Sequence, residues 1–186
     1  MTDPKYRQWH DGEAGVPERV PTDAELDAWP APDTAQGFFK RGLRLAQLGF
    51  PERAAKDFEE AVQLDPDNPE IQYNLGTACL SLGLFEQALR NFDRAIALKP
   101  GVADAHGNRA IAFAALGEDL QMRQDLDLAV KLGADRARLE AIAGYVRARR
   151  KTGHGLLNPG DDAQHDHGHD LPHPRWGGFP RNPQTR

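Results

Sequence analysis

Apolar residues in the middle of the chain recur at intervals of three and four positions, the spacing that places them on one face of an α-helix. The pattern divides into six segments, which predict three pairs of helices. The first helices of the pairs are expected over residues 35–48, 69–82 and 103–116, and the second helices over residues 51–64, 85–98 and 119–132. The hydrophobic pattern therefore predicts an all-α fold.

The predicted helix ends coincide with residues that start or stop helices. Asn68 precedes Pro69, and Asn accepts hydrogen bonds from free N–H groups at a helix start while Pro fits the first turn. Pro66 and Pro100 follow predicted second helices, which they would end because proline cannot continue the hydrogen-bond ladder.

The three pairs repeat with a period of 34 residues. The matched columns are Gly42/Gly76/Ala110, Leu48/Leu82/Leu116, Gly49/Gly83/Gly117, Phe58/Phe92/Leu126 and Ala61/Ala95/Ala129. The small residues of the first column leave room for the second helix of the same pair, and the large apolar column fills the space between the two helices. A fixed period of this length is typical of a solenoid in which helix pairs stack on one another.

The second unit resembles the tetratricopeptide repeat (TPR). The residues that carry the resemblance are Tyr73-Asn74-Leu75-Gly76, Gly83, Ala88, Phe92, Ala95 and Pro100. The first unit departs from the family at Arg41, where Leu is usual, and the third has Met122 and Ala134 where Ala and Pro are usual. The resemblance covers residues 35–136 and implies a short right-handed solenoid of three TPR-like helix pairs.

The segments on either side of the repeats have different patterns. Residues 137–151 have one apolar stripe and end in a basic run that complements the helix dipole, so we expect a C-terminal capping helix that completes a TPR domain over 35–151. Residues 1–34 form a polar, proline-containing arm, in which Thr22 to Glu25 match a capping box and predict a short helix near 22–29. Residues 152–186 are rich in His, Pro and Gly and predict an irregular tail.

Composition and charge exclude several classes of protein. The net charge of the 186 residues is −5, which gives no basic excess for nucleic-acid binding. No apolar run is long enough to span a membrane, and the first residues lack the apolar core of a secretory signal, so a soluble cytoplasmic protein is expected. Cys79 is the single cysteine, which excludes an intramolecular disulfide and a cysteine-based zinc site.

Enzyme motifs are missing from the sequence. There is no phosphate-binding loop ending in Lys-Ser/Thr, no HExxH helix and no nucleophile elbow. We therefore expect a non-catalytic interaction protein, such as an adaptor, scaffold, assembly factor or cochaperone-like module, with no required cofactor.

The TPR resemblance implies a concave groove, lined by the first helices, that holds an extended or helical segment of a partner protein. The lining residues proposed as the partner-binding site are Phe39, Leu43, Tyr73, Asn74, Thr77, Leu80, Asn108 and Ile111. Most are apolar and are expected to face water, and a contiguous apolar strip usually marks a binding surface. The two Asn side chains would bond a peptide backbone.

The chaperone-binding subtype of the family holds a C-terminal carboxylate with Lys, Asn and Arg side chains at set positions. Only Asn74 matches that set, because Phe39, Leu43, Asp104 and Asn108 stand where the others are required. A carboxylate clamp is therefore not expected. Three other occupants of the groove stay open: the chain's own tail, its N-terminal segment, or a second copy.

Four histidines in the tail support an alternative function. His165, His167, His169 and His173 lie close together in sequence beside aspartates, and imidazole and carboxylate are ligands for zinc or nickel. This cluster predicts either weak metal binding, as in a metal-delivery protein, or a pH-sensing tail.

Overall fold

The computed structural model describes residues 21–152, which form helices and no strand. The helices are α1 (Asp23–Asp27), α2 (Ala35–Gln47), α3 (Pro51–Leu64), α4 (Pro69–Ser81), α5 (Phe85–Leu98), α6 (Ala103–Leu116), α7 (Asp119–Lys131) and α8 (Arg136–Thr152). The all-α prediction is confirmed, and α2 to α7 form the three predicted helix pairs. Their observed ends differ from the predicted ends by one residue at most.

Within residues 21–152 the chain divides into two compact units, one that ends at residue 31 and one that begins at residue 32. The first contains α1, and its capping box is present as predicted. The Thr22 hydroxyl accepts from the backbone N–H of Glu25 at 3.4 Å, and the Thr22 backbone N–H donates to the Glu25 carboxylate at 2.8 Å. These bonds satisfy N–H groups that a helix start otherwise leaves without partners.

The second unit contains the helix pairs, whose turns depend on glycine. Gly49, Gly83 and Gly117 have φ values of 88°, 76° and 90°, in the left-handed region that side chains with a Cβ disfavour. Each follows the first helix of its pair and lies two residues before the start of the second helix. The glycine column of the sequence is therefore the column of tight turns.

A phenylalanine ring lies directly against the backbone of the first helix in two pairs. A Cβ placed on Gly42 would be 2.7 Å from Cε1 of Phe58, and one on Gly76 would be 2.7 Å from Cε1 of Phe92. Both rings have 0% exposure. The small-residue column therefore sets how closely the two helices of a pair approach.

Enlarging Gly76 should loosen the second pair. We expect Gly76→Ala to lower the free energy of unfolding by about 1–3 kcal/mol, because the added methyl group overlaps Phe92 in a closely packed core. Urea unfolding followed by circular dichroism measures this. The control is Gly144→Ala in α8, where a Cβ meets no atom within 4 Å and should raise stability by about 0.5–1 kcal/mol. An equal gain from both changes would contradict the packing argument.

Arg41, the departure from the family pattern, bonds a buried carboxylate. Its Nε and Nη2 donate to the two oxygens of Asp57, both at 2.7 Å, and Asp57 is 5% exposed. The same pair recurs in the third unit, where Nε and Nη2 of Arg109 donate to Asp125 at 2.6 and 2.7 Å. The first and third pairs are thus each joined by a two-bond ion pair between their helices.

In the second unit the positions of Arg41 and Asp57 hold Leu75 and Asn91. The cation and the carboxylate are thus replaced together, by an apolar side chain and an uncharged amide. The Asn91 amide donates to the Gln87 carbonyl oxygen at 2.9 Å within α5.

We therefore expect Arg41→Leu alone to lower the free energy of unfolding by about 2–3 kcal/mol, because it leaves a buried charge at Asp57. Arg41→Leu combined with Asp57→Asn should recover most of this loss in urea unfolding. An unimproved double variant would show that the charge of Asp57 is not the cause.

Candidate partner-binding groove

The eight predicted groove residues lie on the first helices α2, α4 and α6. The structure brings three of them together between α4 and α6. The Asn108 amide donates to the Tyr73 hydroxyl at 3.1 Å and to the Thr77 hydroxyl at 3.4 Å. The Thr77 hydroxyl in turn donates to the Tyr73 carbonyl oxygen at 3.0 Å. Asn108 therefore holds α4 and α6 together, so its amide is used within the fold.

The aromatic residues of the groove pack on the core rings of their own pairs. Phe39 lies 5.9 Å from Phe58 and Tyr73 lies 6.0 Å from Phe92 between ring centroids, with the planes at 49° in both cases. Such tilted pairs are a favourable arrangement of aromatic rings. Packing against these core rings therefore fixes the orientation of both side chains.

Only Leu43 and Tyr73 of the eight keep partial exposure, and the other six are buried. Leu80 and Ile111 are each 2% exposed. The expectation that the apolar strip faces water is therefore wrong for Leu80 and Ile111, and also for Phe39, which is 8% exposed. Leu80 lies on the same side of α4 as Tyr73, seven residues earlier, and that side faces α6 through Asn108.

Helix α8 covers the strip on α6. A Cβ on Gly107 would lie 3.0 Å from a terminal methyl carbon of Leu139, and the Arg150 guanidinium donates to the Ala114 carbonyl oxygen at 2.7 Å. Ile111 lies between Gly107 and Ala114 on the same helix face. Gly107 has no side chain and Ala114 a small one, so α8 comes close at both positions. This approach accounts for the burial of Ile111 between them.

The basic run at the end of α8 has defined partners. Arg147 donates to the Asp119 carboxylate at 3.1 Å, at the start of α7, and Arg150 reaches the end of α6. Arg149 donates to the hydroxyl of Tyr145 at 2.8 Å in its own helix. These contacts add a tethering role to the dipole role predicted from sequence, which could not show which helices the arginines reach.

Two tetratricopeptide repeat family models match the chain, over residues 45–107 and 80–149. Together with the repeated helix pairs, this decides the family. The chain belongs to the tetratricopeptide repeat family.

Solved TPR structures share the fold. YrrB, described as a TPR protein with an unusual peptide-binding site, aligns with a TM-score of 0.55 and 23% identity over 63% of this chain and 59% of YrrB. MamA aligns with a TM-score of 0.55 and 23% identity, over 72% of this chain and 75% of MamA. The first TPR of Spaghetti (RPAP3), bound to the HSP90 peptide SRMEEVD, aligns with a TM-score of 0.54 and 20% identity, over 64% of this chain and 92% of that one.

These likenesses establish the TPR solenoid fold. No curated protein sequence matches the chain significantly. The aligned region spans about three fifths of YrrB.

Asn74 is the one residue of the carboxylate-clamp set that the sequence retains. Only the nitrogen of its side-chain amide makes a hydrogen bond within residues 21–152. Its Nδ2 donates to the Glu70 carbonyl oxygen at 2.8 Å. Its Oδ1 is buried and accepts no hydrogen bond from residues 21–152. A buried acceptor without a donor costs about 1–3 kcal/mol, so this oxygen would gain from any N–H group that reaches it.

The histidines of the tail and Cys79 are two further candidates for chemistry. The four tail histidines lie outside the described residues, so metal binding by them stays a prediction. Within residues 21–152 no group of three His, Cys, Asp or Glu side chains is placed to hold a metal. Burial raises the pKa of the Cys79 thiol to about 11, which favours the unreactive thiol. No helix in this part of the chain is long and apolar enough to cross a membrane.

Burial raises the pKa of Tyr73 to about 12, and the negative charge of Asp104 adds to this effect. Hydrogen bonds with Thr77 and Asn108 act in the opposite direction, as does the positive charge of Arg138. The Tyr73 hydroxyl is therefore neutral across the physiological range.

The ionisation of Tyr73 should be measurable. Because its folded-state pKa lies above the ordinary tyrosine value of about 10, its contribution to stability is complete below pH 10 and is lost as the pH rises toward 12. The difference in tyrosinate absorbance between the natural chain and Tyr73→Phe should show one group titrating near 12. In the chain unfolded by urea, the pKa measured from the same difference should fall to about 10. A folded pKa near 10 would contradict burial of the Tyr73 hydroxyl beneath its partly exposed ring.

Proposed function

We propose that the protein is a non-catalytic interaction module that captures an extended or helical segment of a partner protein on the concave side of its TPR stack. The observation that carries the proposal is the partial exposure of Leu43 and Tyr73 above a rigid core. The TPR fold supports this role, since YrrB and Spaghetti (RPAP3) are both described with peptides. An adaptor, scaffold or assembly factor would act in this way.

Tyr73 has the properties of an anchor for a partner. Its ring packs on Phe92, and its hydroxyl accepts from Asn108, so its conformation is set before a partner arrives. A preorganised aromatic side chain loses little entropy on binding, and for this reason such residues often dominate interfaces. An apolar side chain of the partner is the chemistry that fits here.

Leu43 is the second partly exposed residue of the strip and lies on the preceding pair. It occupies the same repeat position on α2 as Thr77 on α4 and Ile111 on α6. Ile111 is beneath α8, so the accessible part of the strip is on α2 and α4. We place the partner segment there, rather than along the full length from Phe39 to Ile111.

The test is binding by the full chain with two matched leucine variants. Partners captured from native lysate by the natural chain are identified by mass spectrometry, and their affinities are then measured by calorimetry. We expect Leu43→Glu to weaken binding at least about tenfold, since a carboxylate would be buried against an apolar ligand. Leu64→Glu adds the same charge at a leucine that is 55% exposed on α3 and should bind as tightly as the natural chain.

Circular dichroism must show equal helix content in both variants. Equal affinities of Leu43→Glu and the natural chain would refute capture on the α2–α4 surface. If Leu64→Glu weakens binding more than Leu43→Glu does, the partner binds the second helices instead.

A further inference from the structure

Helix α7 carries two leucines on its outer face where α3 and α5 carry charges, and a third leucine follows directly after the helix. Leu120, Leu128 and Leu132, here called the α7 stripe, have exposures of 65%, 39% and 39%. The equivalent positions, 34 and 68 residues earlier, are Glu86 and Glu52 for Leu120, Arg94 and Glu60 for Leu128, and Leu98 and Leu64 for Leu132. The third unit thus exchanges two charged positions for apolar ones on a surface exposed to water.

The α7 stripe faces away from the core of its own pair. Its members are eight and four residues apart, so they share one side of the helix, together with Gln124. The buried residues of α7 lie on the opposite side and are Met122, Asp125, Leu126 and Ala129. Helix α8 leaves the stripe exposed. Its ion pairs with α7 join Arg147 to Asp119 and Arg136 to Asp127, and its Leu139 packs against Gly107 of α6.

We infer that the α7 stripe binds the same stripe of a second copy of this chain, with the two α7 helices antiparallel about a two-fold axis. The axis crosses α7 just past Gln124, so that Gln124 lies close to its own equivalent and Leu120 of each copy contacts Leu128 of the other. An apolar surface that is identical in both copies is self-complementary under two-fold symmetry. The surface is distinct from the concave strip, so this inference does not depend on the proposed function.

The charges beside the stripe favour this arrangement. Arg123 and Asp127 are both exposed and lie along one edge of α7, four residues apart. In an antiparallel pair of identical helices each edge meets its own equivalent. Leu120 and Leu128 pair about a midpoint at residue 124, and Arg123 and Asp127 pair about a midpoint at residue 125. An axis between these two levels brings Arg123 of one copy to within about 1.5 Å, measured along the helix, of the level of Asp127 of the other, twice. Asp127 also accepts from Arg136 at 2.9 Å through Oδ1, which holds the carboxylate at this edge.

The other second helices lack this charge pattern. The positions of Arg123 and Asp127 hold Ala55 and Glu59 in α3, and Leu89 and Asp93 in α5. The cation is present only where the leucines are, so the features needed for self-association occur together on α7. Three leucines a copy make a small interface, and we expect a reversible monomer–dimer equilibrium rather than a permanent dimer.

Analytical ultracentrifugation of the full chain over a concentration series tests the pairing. The natural chain should pass from monomer to dimer as its concentration rises. Leu120→Glu combined with Leu128→Glu should raise the apparent dissociation constant at least about tenfold, and both positions are exposed, so the fold should be kept. Leu64→Glu is the matched control and should dimerise like the natural chain.

Charge reversal tests the direction of the helices. Arg123→Asp alone should weaken the dimer, because it places two carboxylates opposite each other. Adding Asp127→Arg should restore the dimer, since the reversed charges are again complementary. A dimer that weakens equally in the single and double variants would overturn the antiparallel arrangement.

A cysteine at the proposed axis gives an independent result. Gln124→Cys should form a disulfide-linked dimer on mild oxidation, while Lys56→Cys, at the same repeat position on α3, should stay monomeric. The natural Cys79 is 2% exposed and should not compete. A chain that is monomeric at every concentration, or that links equally well through both positions, would overturn the inference.

Discussion

The contact between a helix backbone and a phenylalanine ring determines the geometry of this protein. In the first two pairs, Gly42 and Gly76 let Phe58 and Phe92 reach the helix axis more closely than any side chain with a Cβ would allow. The same two rings support Phe39 and Tyr73 on the concave side. One aromatic residue in each pair therefore both joins its two helices and positions the side chain offered to a partner. Stability and recognition depend on the same packing.

The third pair solves the same packing problem differently. Gly107 stands where Phe39 and Tyr73 stand in the earlier pairs, and Leu126 replaces the core phenylalanine. The space that an aromatic side chain at position 107 would occupy is approached by Leu139 from α8. The third unit thus has its concave side chain supplied by a later helix. This exchange closes one end of the strip and leaves the α2–α4 end partly open.

Much of the fold could be predicted from the 34-residue period, because each helix pair repeats the same contacts. The ion pair of Arg41 with Asp57 was not predicted, although the sequence contains a signal for it: where one column holds Arg, Leu and Arg, the other holds Asp, Asn and Asp. The position of α8 could not be predicted, because the amphipathic pattern of a helix shows which of its faces is buried but not which surface that face contacts. Gly107 was the available signal, since a glycine among larger concave residues leaves space for something else.

The contacts of α8 have a consequence for the order in which the chain folds. The first two pairs close their cores with residues less than one repeat apart, such as Gly42 with Phe58 and Gly76 with Phe92. In the third pair, by contrast, α6 is contacted by Leu139 and Arg150, which belong to α8 and lie beyond the third repeat. During synthesis from the N-terminus, the first two pairs can pack while later residues are still in the ribosome. The third acquires its last contacts only after residue 150 has emerged, so α6 is the helix that stays longest exposed to chaperones and proteases.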